Sequence, residues 1–276
     1  SSAGYDLTAL LVGSEGTLGL ITELTLKLQG QPEAVAAATC AFATIDAAVD
    51  AVTATIAMGI PMARIEFLDA ASLAAVNAYS KADFPVTPHL MVEFHGSDSG
   101  VAEQAERFGD IASEFGGSTF AWATRPEDRT RLWQMRHHAY WAILASRQGA
   151  TAIVTDVCVP ISALAQAVGE TQSDIDASGI PAPILGHVGD GNFHAILLID
   201  PDSSTERDAA QALSKRMAER ALKLGGTVTG EHGVGMGKLD YMAAEHGAGW
   251  DVMGQIKRAM DPLNILNPGK IVRLNG

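Results

Sequence analysis

Two histidines stand on either side of a short glycine-rich turn, in the segment GHVGDGNFH at residues 186–194. Within it, Asp190 and Gly191 form one of the strongest two-residue hairpin signals, because a type I′ turn needs positive φ at both central positions. If these two residues are the turn, His187 faces His194 across the ribbon. Directly opposed residues have Cβ atoms about 4.5–5.5 Å apart, which suits two imidazole nitrogens that share one metal ion. The segment therefore predicts a pair of metal ligands.

A second glycine-rich segment, TVTGEHGVGMGK at residues 227–238, offers a carboxylate and another imidazole. Its glycines leave little side-chain bulk around Glu231 and His232, so the backbone can approach a ligand closely. Two histidines and one carboxylate are a familiar ligand set for zinc, manganese or iron with open coordination positions. We therefore predict that His187, His194 and Glu231 bind a divalent metal and that His232 acts as a base.

Each motif alone has a simpler interpretation. A histidine pair on a hairpin is often a polar cross-strand pair, and an adjacent Glu and His often form a surface salt bridge. For either motif by itself, these interpretations are favoured over a functional one. The occurrence of both motifs within glycine-rich runs of one chain favours the metal site.

The composition indicates a chain with a large core and no basic surface for nucleic acid. The 276 residues are 47% hydrophobic and 18% charged, enough for one large domain or two smaller ones. The formal net charge of −13 and the scattered Lys and Arg argue against nucleic-acid binding, which needs clustered cations. Cys40 and Cys158 lie in apolar runs and indicate buried thiols in a reducing compartment. No apolar run reaches the roughly 18 residues of a membrane span and no signal peptide is visible, so we expect a soluble cytoplasmic protein.

Apolar runs alternate with Ala-rich amphipathic segments and Gly or Pro breaks along most of the chain. Strands are predicted at residues 35–44, 89–95, 118–124 and 150–160, with a hairpin at 184–199. Helices are predicted at residues 45–58, 67–79, 97–115, 125–147, 161–177, 204–224 and 250–260. Several strands fall in antiparallel pairs, so the pattern predicts an α+β fold of ferredoxin-like type, an antiparallel sheet covered by helices on one face.

The N-terminal segment differs from the rest of the chain. It does not begin with Met, and a loop that contains Gly13, Gly16 and Gly19 precedes an alternating strand predicted at residues 21–28. Such a strand normally joins a sheet whose other members come earlier in the chain. An ordinary edge hairpin is the alternative. We prefer the interpretation that another domain precedes this segment, with a boundary at residues 30–32.

Four motifs together resemble the FAD-linked oxidase C-terminal family, which includes D-lactate dehydrogenases, glycolate oxidase subunits and D-2-hydroxyglutarate dehydrogenases. In chain order they are VGSEGTLGLITELTLKL, GHVGDGNFH, TGEHGVGMGK and DPLNILNPGK, and they extend over nearly the whole sequence. TDVCVPIS at residues 155–162 is most similar to the cytochrome-linked D-lactate dehydrogenase type. The resemblance implies the end of an FAD-binding domain at residues 1–30 and a substrate and cap domain with the metal site at 31–245. Residues 246–276 would then return to pack on the FAD-binding domain.

The resemblance also implies roles for individual residues. It places His187, His194 and Glu231 on the metal and makes His232 the general base. Arg136, in LWQMRHHAY, would bind the substrate carboxylate, since a planar guanidinium pairs with a carboxylate through two hydrogen bonds. Contacts with the flavin are implied for Gly13, Ser14, Glu15, Gly16, Thr17, Gly19, Asn267 and Lys270. Without the resemblance, Arg136 would be read as a solvated helix arginine, and the last two residues as part of a C-terminal turn.

The activity implied by the resemblance is FAD- and metal-dependent oxidation of a D-2-hydroxy acid to the 2-oxo acid. Relatives that act on dicarboxylates such as 2-hydroxyglutarate have Lys and Asn where this chain has Val154 and Ile196. Apolar side chains leave a distal carboxylate without a partner, which favours a small substrate such as D-lactate or glycolate. The electron acceptor would be a cytochrome, a quinone or an electron-transfer flavoprotein, and this chain alone would be inactive. A homodimer and a peripheral position at the inner membrane are further expectations.

Two other functions are compatible with the same residues. A hydrolase would use the metal to activate water, with His232 as the base, but it gives the glycine-rich motif at residues 13–19 no role. A non-catalytic metal-binding domain would take up zinc without binding substrate. Flavin absorbance and substrate binding distinguish both from an oxidoreductase.

Overall fold

The structure is a computed structural model that describes residues 2–274, and these residues form two compact units. The first unit comprises residues 30–226, and the second comprises residues 2–29 together with 227–274. The break thus falls after residue 226 and not at the predicted end of the cap domain at 245. Residues 227–245 join the second unit because side chains such as Val234 and Met242 pack with the C-terminal Ile271. The assignment of the chain to an FAD-binding and a cap domain stays a prediction.

Strands and helices alternate through the first unit. The strands are β1 (Ala34–Ala41), β2 (Arg64–Leu68), β3 (His89–Gly96), β4 (Ser118–Ala123), β5 (Thr151–Val154), β6 (Val157–Cys158), β7 (Ile184–Gly186) and β8 (Asn192–Ile199). The helices of the described chain are α1 (Leu7–Leu11), α2 (Ile45–Ala57), α3 (Ala70–Ser80), α4 (Asp98–Glu114), α5 (Pro126–His137), α6 (Ala139–Ala145), α7 (Leu164–Ser178), α8 (Ser204–Lys223), α9 (Met242–His246) and α10 (Ala248–Met260). Within residues 2–274, no helix combines the length and apolar content needed to cross a membrane.

The strands form one antiparallel sheet in the order β4-β1-β3-β2-β7-β8-β5, and β6 also pairs with β8. The part from β1 to β4 has the β-α-β-β-α-β succession of a ferredoxin-like fold, with α3 between the second and third strands. The predicted fold class is confirmed. The hairpin strands β7 and β8 extend the sheet beyond β2, which places the histidine-bearing segment next to β2.

Helices cover both faces of this sheet, whereas the sequence predicted one. Phe67 packs into a core formed with α2, α4, α7 and α8, and its neighbour Leu68 packs into a second core formed with α3, α5 and α6. Successive side chains of a strand point to opposite faces, so both faces are apolar and need cover. Strands buried on both faces are continuous apolar runs without alternation, as in residues 195–199 of β8.

Most predicted elements are confirmed to within a few residues, but the segment at 67–79 is corrected. Phe67 and Leu68 end strand β2, and the helix α3 begins at Ala70. Asp69 marks the change, because its Oδ1 accepts a hydrogen bond from Ser72 N at 2.7 Å, as an N-cap does. Its Oδ2 accepts from Ile184 N at 2.9 Å and so ties the start of β7 to β2. Burial raises the pKa of this carboxyl group.

Two further elements predicted as continuous are interrupted. The predicted helix at 125–147 is divided at His138 into α5 and α6, without a Gly or Pro to signal the break, and α6 packs on α3. The predicted strand at 150–160 is divided into β5 and β6 at Thr155 and Asp156. Thr155 Oγ1 accepts a hydrogen bond from Ala195 N at 2.8 Å. At this point of the sheet a side-chain oxygen therefore replaces a backbone carbonyl as the acceptor.

The second unit is held by α1, α9 and α10 and by a small core around Met242, Ile271 and Val272. The strand predicted at residues 21–28 does not form, and its Leu24, Leu26 and Leu28 are exposed. A strand needs a hydrogen-bonded neighbour, and none of the described residues provides one for this segment.

Candidate active site

The hairpin of β7 and β8 does not have the predicted register. Leu185, not His187, lies opposite His194, and His187 begins a five-residue loop at 187–191. The predicted type I′ turn at Asp190-Gly191 is wrong, because only Gly191 of the two has positive φ. The loop is closed by hydrogen bonds from Asp190 N to His187 O and from Gly191 N to Val188 O.

The two histidines of this hairpin nevertheless meet. Their ring centroids are 6.3 Å apart, with the ring planes at 88°. His194 is buried on β8, and its Nδ1 lies 2.9 Å from the carbonyl oxygen of Thr155. A carbonyl oxygen only accepts, so Nδ1 carries the proton and Nε2 carries the lone pair that a metal needs.

The other histidine, His187, is fixed by a carboxylate on the neighbouring strand. Its Nδ1 lies 2.6 Å from Glu66 Oε1. The ladder of β2 and β7 pairs Phe67 with Gly186, and continuing the antiparallel register by one residue brings Glu66 opposite His187. The carboxylate accepts the Nδ1 proton, so Nε2 is again the nitrogen suited to a metal.

Glu66 is the functional candidate that sequence reasoning missed. Its side chain is 9% exposed, and its Oε2 accepts hydrogen bonds from Arg136 Nη2 at 2.8 Å and Nε at 3.1 Å. Arg136, on α5, is itself only 14% exposed, so it is not the solvated helix arginine of the simpler interpretation. The signal was present in RIEFL, because an acidic residue inside an apolar run must find a partner when it is buried.

A cavity of about 670 Å³ lies beside these side chains, within the first unit. Glu66, Arg136 and His187 form part of its polar wall. Its apolar wall includes Ile56, Ile60, Pro61, Met62 and Ile65. A guanidinium and an imidazole next to apolar surface suit a small organic anion with an apolar substituent.

The two positions that the resemblance connects with the choice between small and dicarboxylate substrates also lie in this unit. Val154 on β5 and Ile196 on β8 are directly opposed partners in the sheet. Both pack into the core that is covered by α3, α5 and α6, and Ile196 is 2% exposed. His194 precedes Ile196 by two residues on the same strand, so the two side chains share a face of the sheet.

Cys158 lies next to the hairpin loop. The thiol lies 3.2 Å from the carbonyl oxygen of Asp190 and is half-buried, while Cys40 is buried as predicted. Burial, followed by the charges of Asp190 and Asp156, raises the pKa of the Cys158 thiol.

Glu231 and His232 belong to the second unit. Glu231 Oε1 lies 3.8 Å from His232 Nε2, and the two side chains are 50% and 43% exposed. The adjacent Gly233 has a φ of +82°, and its N–H donates to Thr229 Oγ1 at 2.9 Å. The glycine there allows the sharp turn that presents the Glu-His pair at a loop tip.

The glycine-rich loop at residues 13–19 is bound to other parts of the second unit through Glu15. Its carboxylate accepts hydrogen bonds from Val234 N at 2.6 Å and Gly235 N at 2.9 Å, and its carbonyl accepts one from Asn267 Nδ2 at 2.5 Å. The Glu15 carboxylate therefore organises the loop that follows His232. The turn at 267–270 is closed by a bond from Lys270 N to Asn267 O.

The loop with Gly13, Ser14 and Thr17 also borders a mostly apolar cavity of about 360 Å³, within the second unit. The opposite walls include Met242, Met253 and Ile256. Glycine backbone beside apolar side chains is compatible with a planar aromatic group such as a flavin ring.

Comparison with known proteins connects this arrangement to a family of flavoenzymes. The family model described as FAD linked oxidases, C-terminal domain, matches residues 31–271. A probable mitochondrial D-lactate dehydrogenase of Danio rerio is 46% identical over 275 residues, covering 99% of this chain and 55% of the relative. The mitochondrial D-lactate dehydrogenase [cytochrome] of Arabidopsis thaliana is 43% identical, and the match covers 99% of this chain and 48% of the relative. Glycolate oxidase subunit GlcD of Bacillus subtilis is 37% identical, and the match covers 98% of this chain and 57% of the relative.

Solved structures show the same fold at low sequence identity. A 4-ethylphenol oxidase from Gulosibacter chungangensis superposes with a TM-score of 0.68 at 18% identity, covering 90% of this chain and 55% of the other. An alkyldihydroxyacetonephosphate synthase gives a TM-score of 0.66 at 19% identity, covering 97% and 50%. This chain spans about half the length of the curated relatives that it matches.

Proposed function

Because the chain belongs to the family of FAD linked oxidases, C-terminal domain, we propose that the protein oxidises a small D-2-hydroxy acid to the 2-oxo acid. The observation that carries this proposal is the cavity wall on which His187, whose Nδ1 contacts Glu66, lies beside the guanidinium of Arg136. An imidazole ligand and a carboxylate-binding cation are the two groups that a 2-hydroxy acid requires at its hydroxyl and carboxylate ends. This activity is proposed for the complete protein, since its relatives are about twice as long.

The residues present fit a divalent metal. His187 and His194 each have Nδ1 directed at an oxygen acceptor, so Nε2 is the nitrogen of each ring that would bind an ion such as Zn²⁺, Mn²⁺ or Fe²⁺. We propose that Glu231 completes this ligand set. When bound, the metal would polarise the hydroxyl group of the substrate and lower its pKa.

Arg136 is proposed to bind the substrate carboxylate. Glu66 takes the Nε and Nη2 edge of its guanidinium, and the edge formed by Nη1 and the second Nη2 hydrogen can pair with a carboxylate through two hydrogen bonds. Such a pairing fixes the orientation of C2 relative to the groups that react with it.

His232 is proposed to take the proton from the substrate hydroxyl as the C2 hydride leaves. An imidazole has an ordinary pKa near neutrality, which suits a general base under physiological conditions. FAD, when bound, supplies the acceptor for the hydride. The residues proposed to line the flavin are Gly13, Ser14, Glu15, Gly16, Thr17, Gly19, Asn267 and Lys270.

We propose a substrate with a small or apolar side chain, D-lactate or glycolate. Val154 and Ile196 offer neither charge nor hydrogen bond to a second carboxylate, which would be costly to bury without a partner. A cytochrome is the proposed electron acceptor, since relatives are named D-lactate dehydrogenase [cytochrome]. The expected cytoplasmic location stays a prediction. The names of the same relatives place those proteins in mitochondria.

The test uses dye reduction by the complete, flavin-loaded protein with D-lactate. The activity should be lost with a strong chelator and restored by Zn²⁺ or Mn²⁺, and His187→Ala should abolish it. A matched control is His95→Ala, because His95 also pairs with a buried glutamate, Glu93, through its Nε2 at 2.8 Å. Full activity in His187→Ala would contradict the proposal.

A further inference from the structure

We propose that Glu66 is a positioning residue that couples metal binding to substrate-carboxylate binding, an inference that rests on the proposed function above. One oxygen of this carboxylate holds the proposed metal ligand His187, and the other holds the proposed carboxylate-binding Arg136. Neither partner can turn without losing a hydrogen bond to the same group. The two recognition elements of the cavity are therefore set by one side chain.

The geometry supports a role beyond the filling of space. The contact of Glu66 Oε1 with His187 Nδ1 is 2.6 Å, and that of Oε2 with Arg136 Nη2 is 2.8 Å. Both contacts are in the short range of hydrogen bonds to ionised groups. Carboxylates that accept the Nδ1 proton of a metal-binding histidine orient the ring and raise the basicity of Nε2.

The position of Glu66 in the sheet explains how one side chain reaches both partners. It lies on β2 between the apolar residues Ile65 and Phe67, which point to the other face of the sheet. On its own face, the continued register with β7 brings His187 to one side, and α5 places Arg136 close by. A side chain that served only the core at this position would be apolar, since a buried carboxylate loses its hydration.

A neighbouring glutamate offers a matched comparison. Glu93 on β3 is as buried as Glu66, with side-chain exposures of 8% and 9%, and each of its two carboxylate oxygens has a hydrogen-bond partner. Trp133 Nε1 and His95 Nε2 contact this carboxylate, and Arg64 Nε lies 3.7 Å from its Oε1; none of them is assigned to the metal. Trp133 and Arg64 also line the cavity beside Glu66. Glu66→Gln and Glu93→Gln therefore remove equivalent buried charges that differ in their partners.

The experiment measures Zn²⁺ affinity by competition with a chromophoric chelator, and KM and kcat for D-lactate at saturating Zn²⁺, in the complete protein. Glu66→Gln should weaken Zn²⁺ binding by about 10–100-fold, the usual effect of losing such a partner of a metal ligand. It should also raise KM for D-lactate, because the amide cannot accept from both His187 and Arg136. Glu93→Gln should stay within about twofold of the wild type in Zn²⁺ affinity, even if both variants lose thermal stability to a similar degree.

Glu66→Asp keeps the charge but is shorter by one methylene group, so its carboxylate cannot reach both His187 and Arg136. If Glu66→Gln does not fold, the same measurements are made on Glu66→Asp. Unchanged Zn²⁺ affinity and KM in a folded Glu66 variant would overturn the coupling. Equal losses of Zn²⁺ affinity in the Glu66 and Glu93 variants would also overturn it, since they would reflect buried charge alone. His187→Ala separates the two proposals: if it loses Zn²⁺ while Glu66 variants keep it, only the coupling fails. If the wild type binds no Zn²⁺, the proposed function fails and the coupling fails with it.

Discussion

Val154 and Ile196 face each other across β5 and β8, and their apolar side chains lie on the face of the sheet that carries His194. A second substrate carboxylate near this pair would have to be buried without a hydrogen bond. We expect the complete protein to prefer D-lactate over D-2-hydroxyglutarate by at least about 100-fold in kcat/KM.

Introducing polar groups at this pair should change that ratio. In Val154→Lys with Ile196→Asn, we expect the preference for D-lactate to narrow by about tenfold or more, since the new groups can neutralise and bind a distal carboxylate. The measurement is kcat/KM for both acids. A control that preserves the apolar character is Val154→Ile. If the double variant folds and the ratio does not move, the pair does not contact the distal part of the substrate.

Arg136→Gln should impair both binding and stability. The loss of the guanidinium leaves the buried Glu66 carboxylate without this ion-pair partner, which should lower the free energy of unfolding by about 3 kcal/mol. KM for D-lactate should rise by about tenfold or more, with a smaller change in kcat. Urea unfolding and steady-state kinetics measure the two effects. Arg136→Lys should not restore KM fully, because an ammonium group lacks the planar arrangement of donors. Wild-type KM in either variant would contradict the assignment of Arg136.

Asp261 should make the second unit sensitive to acid. Hydrogen bonding by the Lys257 ammonium group, and then by the N–H groups of Leu266 and Ile265, holds the pKa of Asp261 below its ordinary value. A carboxyl group with a lowered folded-state pKa stabilises the protein above its unfolded-state pKa, and this contribution is lost as the pH falls through the folded-state value.

The corresponding variant is Asp261→Asn. It should unfold at a lower temperature than the wild type at pH 7. The difference should shrink below about pH 4, where the carboxyl group of the unfolded wild-type chain begins to bind a proton, and it should vanish as the pH falls through the folded-state pKa. Thermal unfolding followed at several pH values measures this. A difference that is independent of pH would show that the ionised Lys257–Asp261 pair does not contribute.

Cys40 should be inert in the folded protein. Burial raises the pKa of its thiol to about 11, and its side chain is inaccessible. Iodoacetamide should therefore leave Cys40 unmodified at pH 8 under native conditions and label it after unfolding in urea. Peptide mass spectrometry identifies the labelled residue, and rapid native labelling would mean that this region of the sheet opens readily.

The sequence predicts which residues could bind a metal better than it predicts the strand register and contacts that position them. His187 and His194 could be singled out because paired imidazoles beside glycines are rare in such a chain. The register of their hairpin could not be predicted. Asp190-Gly191 is in general a strong signal for a two-residue turn, but here a five-residue loop closed by other hydrogen bonds connects the strands. The spacing of the two rings is therefore set by tertiary structure, not by a two-residue turn.

Glu66 illustrates a limit of a different kind. The local sequence predicts a helix from Phe67 onward and no strand at Glu66, so it does not show the register that brings Glu66 beside His187. A similar limit explains α5 and α6, whose division at His138 depends on packing with α3 and leaves no mark in the local sequence. Long-range contacts decide each of these features, whereas helices with strong capping residues, such as α4 after Ser97, could be predicted closely.

The most direct test of the account is X-ray absorption spectroscopy of the complete protein loaded with Zn²⁺, because the central claim is that His187 and His194 bind one metal ion. The account predicts nitrogen and oxygen neighbours at about 2.0–2.1 Å, with the outer-shell scattering of two imidazole rings, and the signal of one ring fewer in His187→Ala. A wild-type spectrum without imidazole scattering, or one unchanged by His187→Ala, would contradict it.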